Sequence, residues 1–176
     1  WIAEVFLEQV VAVDWADLVR RHGEPKWVGV GDGFAIYGFG KLGGIELGYS
    51  SDLDLVFVSD AARQGVTDGE RSIDNTVFYM RLGQRMIHIL ETRMALGQLY
   101  EVDMRLRPSG ESGMLVATFD GFRSYQQEDA WTWEHQALVR ARFVAGDPAV
   151  AEKVNAVRQE TLCRQRDRAE LAQEVV

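Results

Sequence analysis

The stretch that decides the fold runs from Gly38 to Phe57 and reads Gly-Phe-Gly-Lys-Leu-Gly-Gly-Ile-Glu-Leu-Gly-Tyr-Ser-Ser-Asp-Leu-Asp-Leu-Val-Phe. One apolar run, Phe34 to Tyr37, leads into it, and a second, Leu53 to Val58, closes it. Both runs have the composition of β-strands. The glycines between them mark a tight turn that lies close to a ligand or to another stretch of backbone. The pattern therefore predicts two strands joined by a glycine turn.

Two aspartates open the second predicted strand. Side chains alternate across a strand, so Asp52 and Asp54 should share one face, about 7 Å apart along the chain. The other face would carry Leu53, Leu55 and Phe57, which makes it the core face. Two carboxylates this close repel each other unless a cation lies between them, and a divalent metal binds such oxygens well. The pair predicts an acidic face with a metal site.

A third carboxylate comes from a distant segment. Leu99 to Leu106 alternates with period two and predicts a third strand. Its apolar face would hold Val102, Met104 and Leu106, and its polar face Glu101, Asp103, Arg105 and Arg107. Three carboxylates on neighbouring strands can hold two Mg²⁺ ions about 3.5 to 4 Å apart, an arrangement that moves phosphoryl or nucleotidyl groups.

The glycine turn supplies the candidate phosphate-binding groups. Backbone amides, a lysine and hydroxyls placed beside the metals would hold the outer phosphates of a nucleoside triphosphate. These candidates are Gly40, Lys41, Gly43, Gly44, Ser50 and Ser51, with Arg105 on the third strand.

The glycine turn also satisfies a dinucleotide-binding pattern. Gly38, Gly40 and Gly43 match G-x-G-x-x-G after a strand, and Asp60 lies near the position of a ribose-binding acid. Against this fold, residues 41–51 would make a poor crossover helix, and the next strand carries two aspartates where a covered parallel sheet needs apolar residues. A Walker A loop is excluded because Leu42, rather than Ser or Thr, follows Lys41.

A structural role for the aspartates is a further alternative. Asp52 and Asp54 could cap a strand and pair with Arg105 and Arg107, in which case their charges stabilise the fold and perform no chemistry.

The remaining segments predict helices. Trp1 to Arg21 and Ser72 to Thr92 have apolar residues at helical spacing, and the second should lie across the back of the sheet. From Phe119 to Val144 the pattern is again helical, and Ala149 to Val176 predicts one or two final charged helices.

Composition limits the class of protein. The chain has 176 residues, 47% of them hydrophobic and 26% charged, which is typical of a soluble domain with a real core. Its net charge of -8 argues against a protein that coats nucleic-acid phosphates. No apolar run is long enough for a membrane span. The single cysteine, Cys163, excludes an internal disulfide and a cysteine-based zinc site, and we expect a cytoplasmic protein.

Two more segments complete a family resemblance. They read Tyr-Glu-Val-Asp-Met-Arg-Leu-Arg-Pro-Ser-Gly-Glu-Ser-Gly-Met-Leu (100–115) and Trp-Thr-Trp-Glu-His-Gln-Ala-Leu-Val-Arg-Ala-Arg (131–142). With the glycine stretch, the chain resembles the glutamine synthetase adenylyltransferase family from about Phe34 to Asp147. The resemblance implies an α+β, polymerase-β-like nucleotidyltransferase fold, a mixed sheet flanked by helices, with helical extensions. It divides the chain into a helical lead-in (1–24), the nucleotidyltransferase domain (25–147) and the start of a helical domain (148–176).

The resemblance also implies an activity. Family members carry one domain that removes AMP from glutamine synthetase by phosphorolysis and another that adds AMP from ATP. Residues 128–137 and 47–49 look more like the adenylylating half. In that half Asp52, Asp54 and Asp103 would be the catalytic residues and Mg²⁺ ligands, and a tyrosine of glutamine synthetase would attack the α-phosphate of ATP, releasing pyrophosphate. The family further implies a PII-type regulatory partner, and no nucleic acid.

Two other classes remain open. A nucleotidyltransferase acting on a small molecule or RNA would share the three carboxylates, and a transfer assay with glutamine synthetase separates it. A non-catalytic regulatory module would keep the fold but would have no reason to hold three carboxylates on one face.

Overall fold

A computed structural model describes residues 2–26, 32–60, 65–95 and 97–165. Its helices are α1 (Ile2–His22), α2 (Gly40–Gly43), α3 (Asn75–Glu91), α4 (Phe119–Ser124), α5 (Thr132–Leu138) and α6 (Pro148–Cys163). Its strands are β1 (Phe34–Gly38), β2 (Leu53–Ser59), β3 (Val102–Asp103), β4 (Val116–Thr118) and β5 (Arg142–Gly146). A 3₁₀ turn (Gly110–Ser112) precedes β4, and a π-helical turn (Tyr125–Asp129) follows α4.

The strands form one mixed sheet in the order β3-β2-β1-β5, with β4 also pairing with β2. β1 is antiparallel to β2 and to β5, whereas β3 and β4 run parallel to β2. A dinucleotide-binding unit needs parallel strands joined by a crossover helix, so the antiparallel β1–β2 pair excludes that alternative. The mixed sheet flanked by helices confirms the predicted α+β, polymerase-β-like nucleotidyltransferase fold.

Helices cover both faces of the sheet. α1 and α3 pack on the face that carries Leu53, Leu55 and Phe57, as predicted for α3. The opposite face carries Val56 and Val58, which are fully buried beneath α4 and α6. The prediction of an acidic face on β2 is therefore wrong beyond Asp54. The strand is acidic only where it begins, at the end of the sheet that the helices leave uncovered.

The third strand is much shorter than predicted. Only Val102 and Asp103 pair with β2, instead of the whole of 99–106. The Asp103 carboxylate accepts a hydrogen bond from the Arg105 backbone N–H at 2.8 Å, and the Arg107 guanidinium donates to the Met104 carbonyl at 2.7 Å. Side chains thus satisfy backbone groups that a longer strand would pair, and the chain turns away from the sheet.

The helical prediction through Val144 is wrong at its end. Residues 142–146 form β5, which pairs with the edge of β1 that β2 leaves open. The aromatic and β-branched residues Phe143 and Val144 suit a strand, and pairing with β1 outweighs the loose helical spacing. Gly146, at φ +102°, ends the strand, and the Asp147 carboxylate then accepts the Ala149 N–H at the start of α6.

The terminal helices partly test the other predictions. α1 and α3 begin and end within a few residues of the predicted bounds. α6 confirms a helix after residue 147, but residues 166–176 lie outside the described part of the chain. The division into a lead-in, a central domain and a following domain stays a prediction. No helix in the described ranges has the length and hydropathy needed to cross a membrane.

A buried ion pair joins α1 to α3. The Asp14 side chain is 1% exposed, and its Oδ1 accepts a hydrogen bond from Arg85 Nε at 2.9 Å. Arg85→Leu leaves this buried carboxylate without its partner. We expect the free energy of unfolding to fall by about 3 kcal/mol, the lower end of the range for breaking a buried pair, because Arg85 is partly exposed. Urea unfolding measures the loss.

Arg81→Leu is the matched control, since it removes an exposed arginine from the same helix, whose hydrogen bond to the His22 ring lies at the surface. It should change the free energy of unfolding by no more than about 0.5 kcal/mol. Adding Asp14→Asn to Arg85→Leu should recover part of the loss. Equal effects of the two leucine variants would contradict a stabilising role for the pair.

Candidate active site

The glycine turn, the predicted carboxylates and the start of β5 all lie at one end of the sheet. Because β1 is antiparallel to β2 and β5, its last residue, Gly38, pairs with Leu55 on one side and with Arg142 on the other. β3 runs parallel to β2, so Asp103 lies at the same edge. The glycine turn that follows β1 is therefore flanked by carboxylates on one side and by the arginines that lead into β5 on the other.

The aspartates meet at the start of β2. Asp54 and Asp103 are register partners on adjacent strands, which places both side chains on the same face. Burial raises the pKa of Asp54, and the neighbouring Asp103 and Asp52 carboxylates raise it further. No described residue forms a hydrogen bond or ion pair with the side chain of Asp52 or Asp54. The structure thus brings the three predicted carboxylates together, and the nearby charges of Arg105 and Lys41 only partly offset the repulsion at Asp54.

Asp103 is the carboxylate that has a partner. Arg105 Nε donates to its Oδ2 at 2.8 Å, and this hydrogen-bonded pair lowers the pKa of Asp103. The Arg105 side chain is 74% exposed, compared with 17% for Asp103. The structural alternative predicted pairs from Arg105 and Arg107 to Asp52 and Asp54. Instead, Arg105 pairs with Asp103, and Arg107 donates to the carbonyls of Met104 and Glu111.

The donor set suits Mg²⁺, which prefers carboxylate oxygens. A cation between Asp52 and Asp54 would relieve the repulsion that raises the Asp54 pKa. In the described ranges, however, no three Asp, Glu, His or Cys side chains are arranged to hold one ion together. The Arg105 guanidinium is hydrogen-bonded to the Asp103 carboxylate. The residues therefore fit the metal in chemistry, and completing the ligand set requires Asp103 to leave Arg105.

The glycine turn packs directly against Asp54. A Cβ on Gly40, which has φ +50°, would lie 2.3 Å from Asp54 Oδ2, so no larger residue fits there. The Phe39 N–H donates to the Asp54 carbonyl at 2.9 Å. These two contacts hold the start of α2 beside the carboxylates. Further along the turn, the Gly43 and Gly44 N–H groups donate to the Phe39 and Gly40 carbonyls at 2.9 and 3.0 Å, and Gly43 is buried.

The end of the turn is fixed by the chain that leads into β5. A Cβ on Gly43 would lie 1.8 Å from the Arg140 carbonyl oxygen, and one on Gly44 would lie 2.6 Å from Arg140 Nη2. Gly43 is therefore required by packing, whatever it does for a nucleotide.

Lys41 and the serines flank the acidic cluster. Lys41 is exposed, and its Nζ lies 3.5 Å from Ser51 Oγ. Ser51 Oγ also accepts a hydrogen bond from the Gly48 N–H at 3.3 Å, while Ser50 is exposed. The Lys41 charge opposes the rise in the Asp54 pKa, which places the ammonium group within electrostatic reach of that carboxylate.

Sequence reasoning missed Arg140 and Arg142. Arg142 Nη2 donates to the Leu42 carbonyl at 3.0 Å and Nε to the Gly43 carbonyl at 3.2 Å, while Nη2 also pairs with Glu4 at 2.6 Å. Arg140 pairs with Glu46 beyond the turn. These contacts clamp α2 from the side opposite the carboxylates. The sequence feature that could have identified them is the Arg-x-Arg spacing just before an apolar run, which places both arginines where a strand begins.

Arg105 borders two open clefts. The first, of about 740 Å³, is lined by Asp52, Asp103 and Arg105 with the polar residues around β3, and we call it the acidic cleft. The second, of about 580 Å³, also includes Arg105 and extends to Trp131 and Trp133.

Comparison with known families assigns the chain to a family. The family model of glutamate-ammonia ligase adenylyltransferase matches residues 1–157 of the 176. The match spans the glycine turn, the three aspartates and the Arg140–Arg142 clamp. Its members are nucleotidyltransferases that act on glutamine synthetase. The chain therefore belongs to the glutamate-ammonia ligase adenylyltransferase family.

Proposed function

We propose that this chain transfers AMP from ATP to a tyrosine hydroxyl of glutamine synthetase and releases pyrophosphate. The observation that carries the proposal is the pairing of Asp54 with Asp103 across β2 and β3, with Asp52 beside them and the glycine turn packed on Asp54. A scaffold role gives no reason to place a third carboxylate where two already repel.

Each part of the site has a stated task. Asp52, Asp54 and Asp103 would hold Mg²⁺, which neutralises phosphate charge as it develops. The Lys41 ammonium, with the backbone at Gly40 and Lys41, would hold the outer phosphates, and Ser50 or Ser51 would add a hydroxyl. Gly43 and Gly44 would shape the turn, because their N–H groups already donate to the Phe39 and Gly40 carbonyls. Arg105 would serve as a further phosphate ligand, which requires it to exchange the Asp103 carboxylate for the nucleotide.

The reaction is an in-line displacement at the α-phosphorus. The tyrosine oxygen forms the new bond to phosphorus while the bond to the bridging oxygen of the β-phosphate breaks. The phenol proton leaves to a carboxylate of the site, and pyrophosphate carries away the electron pair. The clamp formed by Arg142 on the carbonyls of α2 keeps the turn in place, so little reorganisation accompanies the step.

The direction of the reaction is the finer part of the proposal. Residues 128–137 and 47–49 favour the adenylylating half of the family over the half that removes AMP by phosphorolysis. A cytoplasmic location and a PII-type regulatory partner belong to the same proposal.

A labelling experiment tests the direction. With glutamine synthetase, Mg²⁺ and ATP labelled in its α-phosphate, we expect label on a tyrosine and one pyrophosphate released per label. The parallel reaction contains adenylylated glutamine synthetase and inorganic phosphate. Efficient phosphate-dependent loss of AMP without forward labelling would assign the chain to the removing half. Label on RNA or a small acceptor instead would contradict the proposed substrate.

Asparagine variants separate catalysis from stability. Asp54→Asn keeps the shape of the side chain but removes its charge, so transfer should fall by about 100-fold or more, the scale for losing one electrostatic stabiliser. The melting midpoint should stay unchanged or rise, because a half-buried carboxylate that two neighbours repel is removed. Thermal melts without metal, run beside transfer assays, measure both effects.

Asp103→Asn and Asp120→Asn complete the set. Asp103→Asn should lower transfer by a similar factor to Asp54→Asn. The melting midpoint should fall only slightly, because the partner of Asp103, Arg105, is mostly exposed. Asp120→Asn breaks the exposed pair with Arg123 on α4 and should leave transfer unchanged. A fall of many degrees for Asp54→Asn would favour the structural alternative.

A further inference from the structure

The second cleft shares the Arg105 side chain with the acidic cleft. We call it the tryptophan cleft, and its walls include Ser109, Gly110, Tyr125, Trp131, Trp133 and Glu134. Arg105 lines both clefts, so an occupant of the tryptophan cleft lies one side chain away from Asp103. An acceptor that presents a hydroxyl to the carboxylates must rest its flanking residues on the surface around them. The tryptophan cleft is such a surface.

Two tryptophans dominate this surface. The exposed fraction is 71% for Trp131 and 55% for Trp133. Large aromatic side chains that solvent reaches this freely are unusual away from binding sites, and tryptophan is enriched among the residues that carry the energy of protein interfaces. The described part of the chain gives neither ring a covering partner.

The backbone beneath the tryptophans is already fixed. Glu134 is buried, and its carboxylate accepts hydrogen bonds from the Tyr125 hydroxyl at 2.8 Å and the Trp131 N–H at 2.9 Å. The Trp131 carbonyl in turn accepts the N–H groups of Glu134 and His135 at the start of α5. A partner that binds here orders little additional backbone, which lowers the entropy lost on association.

The aromatic surface favours a polypeptide as the occupant. Trp131 immediately precedes α5 and Trp133 is its second residue, and both line the cleft together with Arg105, Ser109, Ser112 and Asp129. Exposed tryptophans with polar groups around them are typical of protein interfaces, in which aromatic anchors lie at the centre and polar residues at the rim. The cleft therefore matches a protein segment with apolar side chains.

We propose that the tryptophan cleft binds the segment of the acceptor protein that carries the reactive tyrosine, through apolar residues that flank it. The inference rests on the proposed function and adds the surface that recognises the protein substrate. Trp131 and Trp133 bind the segment, and its tyrosine reaches past Arg105 to the carboxylates.

The test is the double variant Trp131→Ala/Trp133→Ala. We expect the KM for glutamine synthetase, and the Kd for its binding measured by interferometry, to rise about tenfold or more, as for lost interface hot spots. The Kd for ATP by calorimetry and the melting midpoint should match wild type, because both rings are mostly exposed. Phe6→Ala is the control: it removes a partly exposed aromatic ring from the separate groove on α1 and should leave the KM and both Kd values unchanged.

The outcomes separate the two proposals. Unchanged binding of glutamine synthetase by the double variant overturns the inference, and so does a weakened Kd for ATP, which would make the cleft a nucleotide site. If wild type transfers AMP and the double variant binds glutamine synthetase as tightly as wild type does, the inference fails while the proposed function stands. Lost binding, when wild type transfers AMP in neither direction, supports the docking surface and overturns the proposed activity. If the double variant unfolds, the single variants Trp131→Gln and Trp133→Gln give the same readout.

Discussion

The antiparallel pairing of β1 with both of its neighbours is the constraint on which the rest of the structure depends. It ends β1 where β2 and β5 begin, so the glycine turn emerges between the aspartates and the Arg140–Arg142 clamp. A parallel arrangement would place the turn at the opposite edge from one of these groups. Strand direction alone therefore brings together acidic, backbone and basic groups from three separated segments.

The same edge concentrates unfavourable electrostatics. The sheet buries its apolar residues on both faces, and the carboxylates cluster only at the uncovered end of β2, where Asp54 is half-buried with Asp52 and Asp103 beside it. Arg105 neutralises only one of the three. Such crowding lowers stability, and it is tolerated because the apolar core on both faces of the sheet stabilises the domain elsewhere.

Much of the site could be predicted from sequence because its signals are local. The apolar runs around the glycines predict β1 and β2, and alternation places Asp103 on the face that meets Asp54. β5 was missed because a five-residue strand with one glycine carries little periodicity, and only the open edge of β1 makes it a strand. The Asp103–Arg105 pair also could not be predicted from sequence, since both residues suit a straight strand. The turn that joins them depends on side-chain hydrogen bonds to the backbone.

The contact between Gly43 and Arg140 has a consequence for the order of folding. The carbonyl of Arg140 fills the space where a side chain would stand on Gly43, and Arg142 bonds the Gly43 carbonyl across 99 positions of sequence. Closing so long a loop is entropically costly, so contacts of this kind form late. The turn that would hold the nucleotide reaches its final shape only when β5 docks on β1. A nascent or partly folded chain that has only the β1–β2 hairpin therefore displays Asp52 and Asp54 without the clamp, and the nucleotide-binding turn that we propose is complete only when the sheet is.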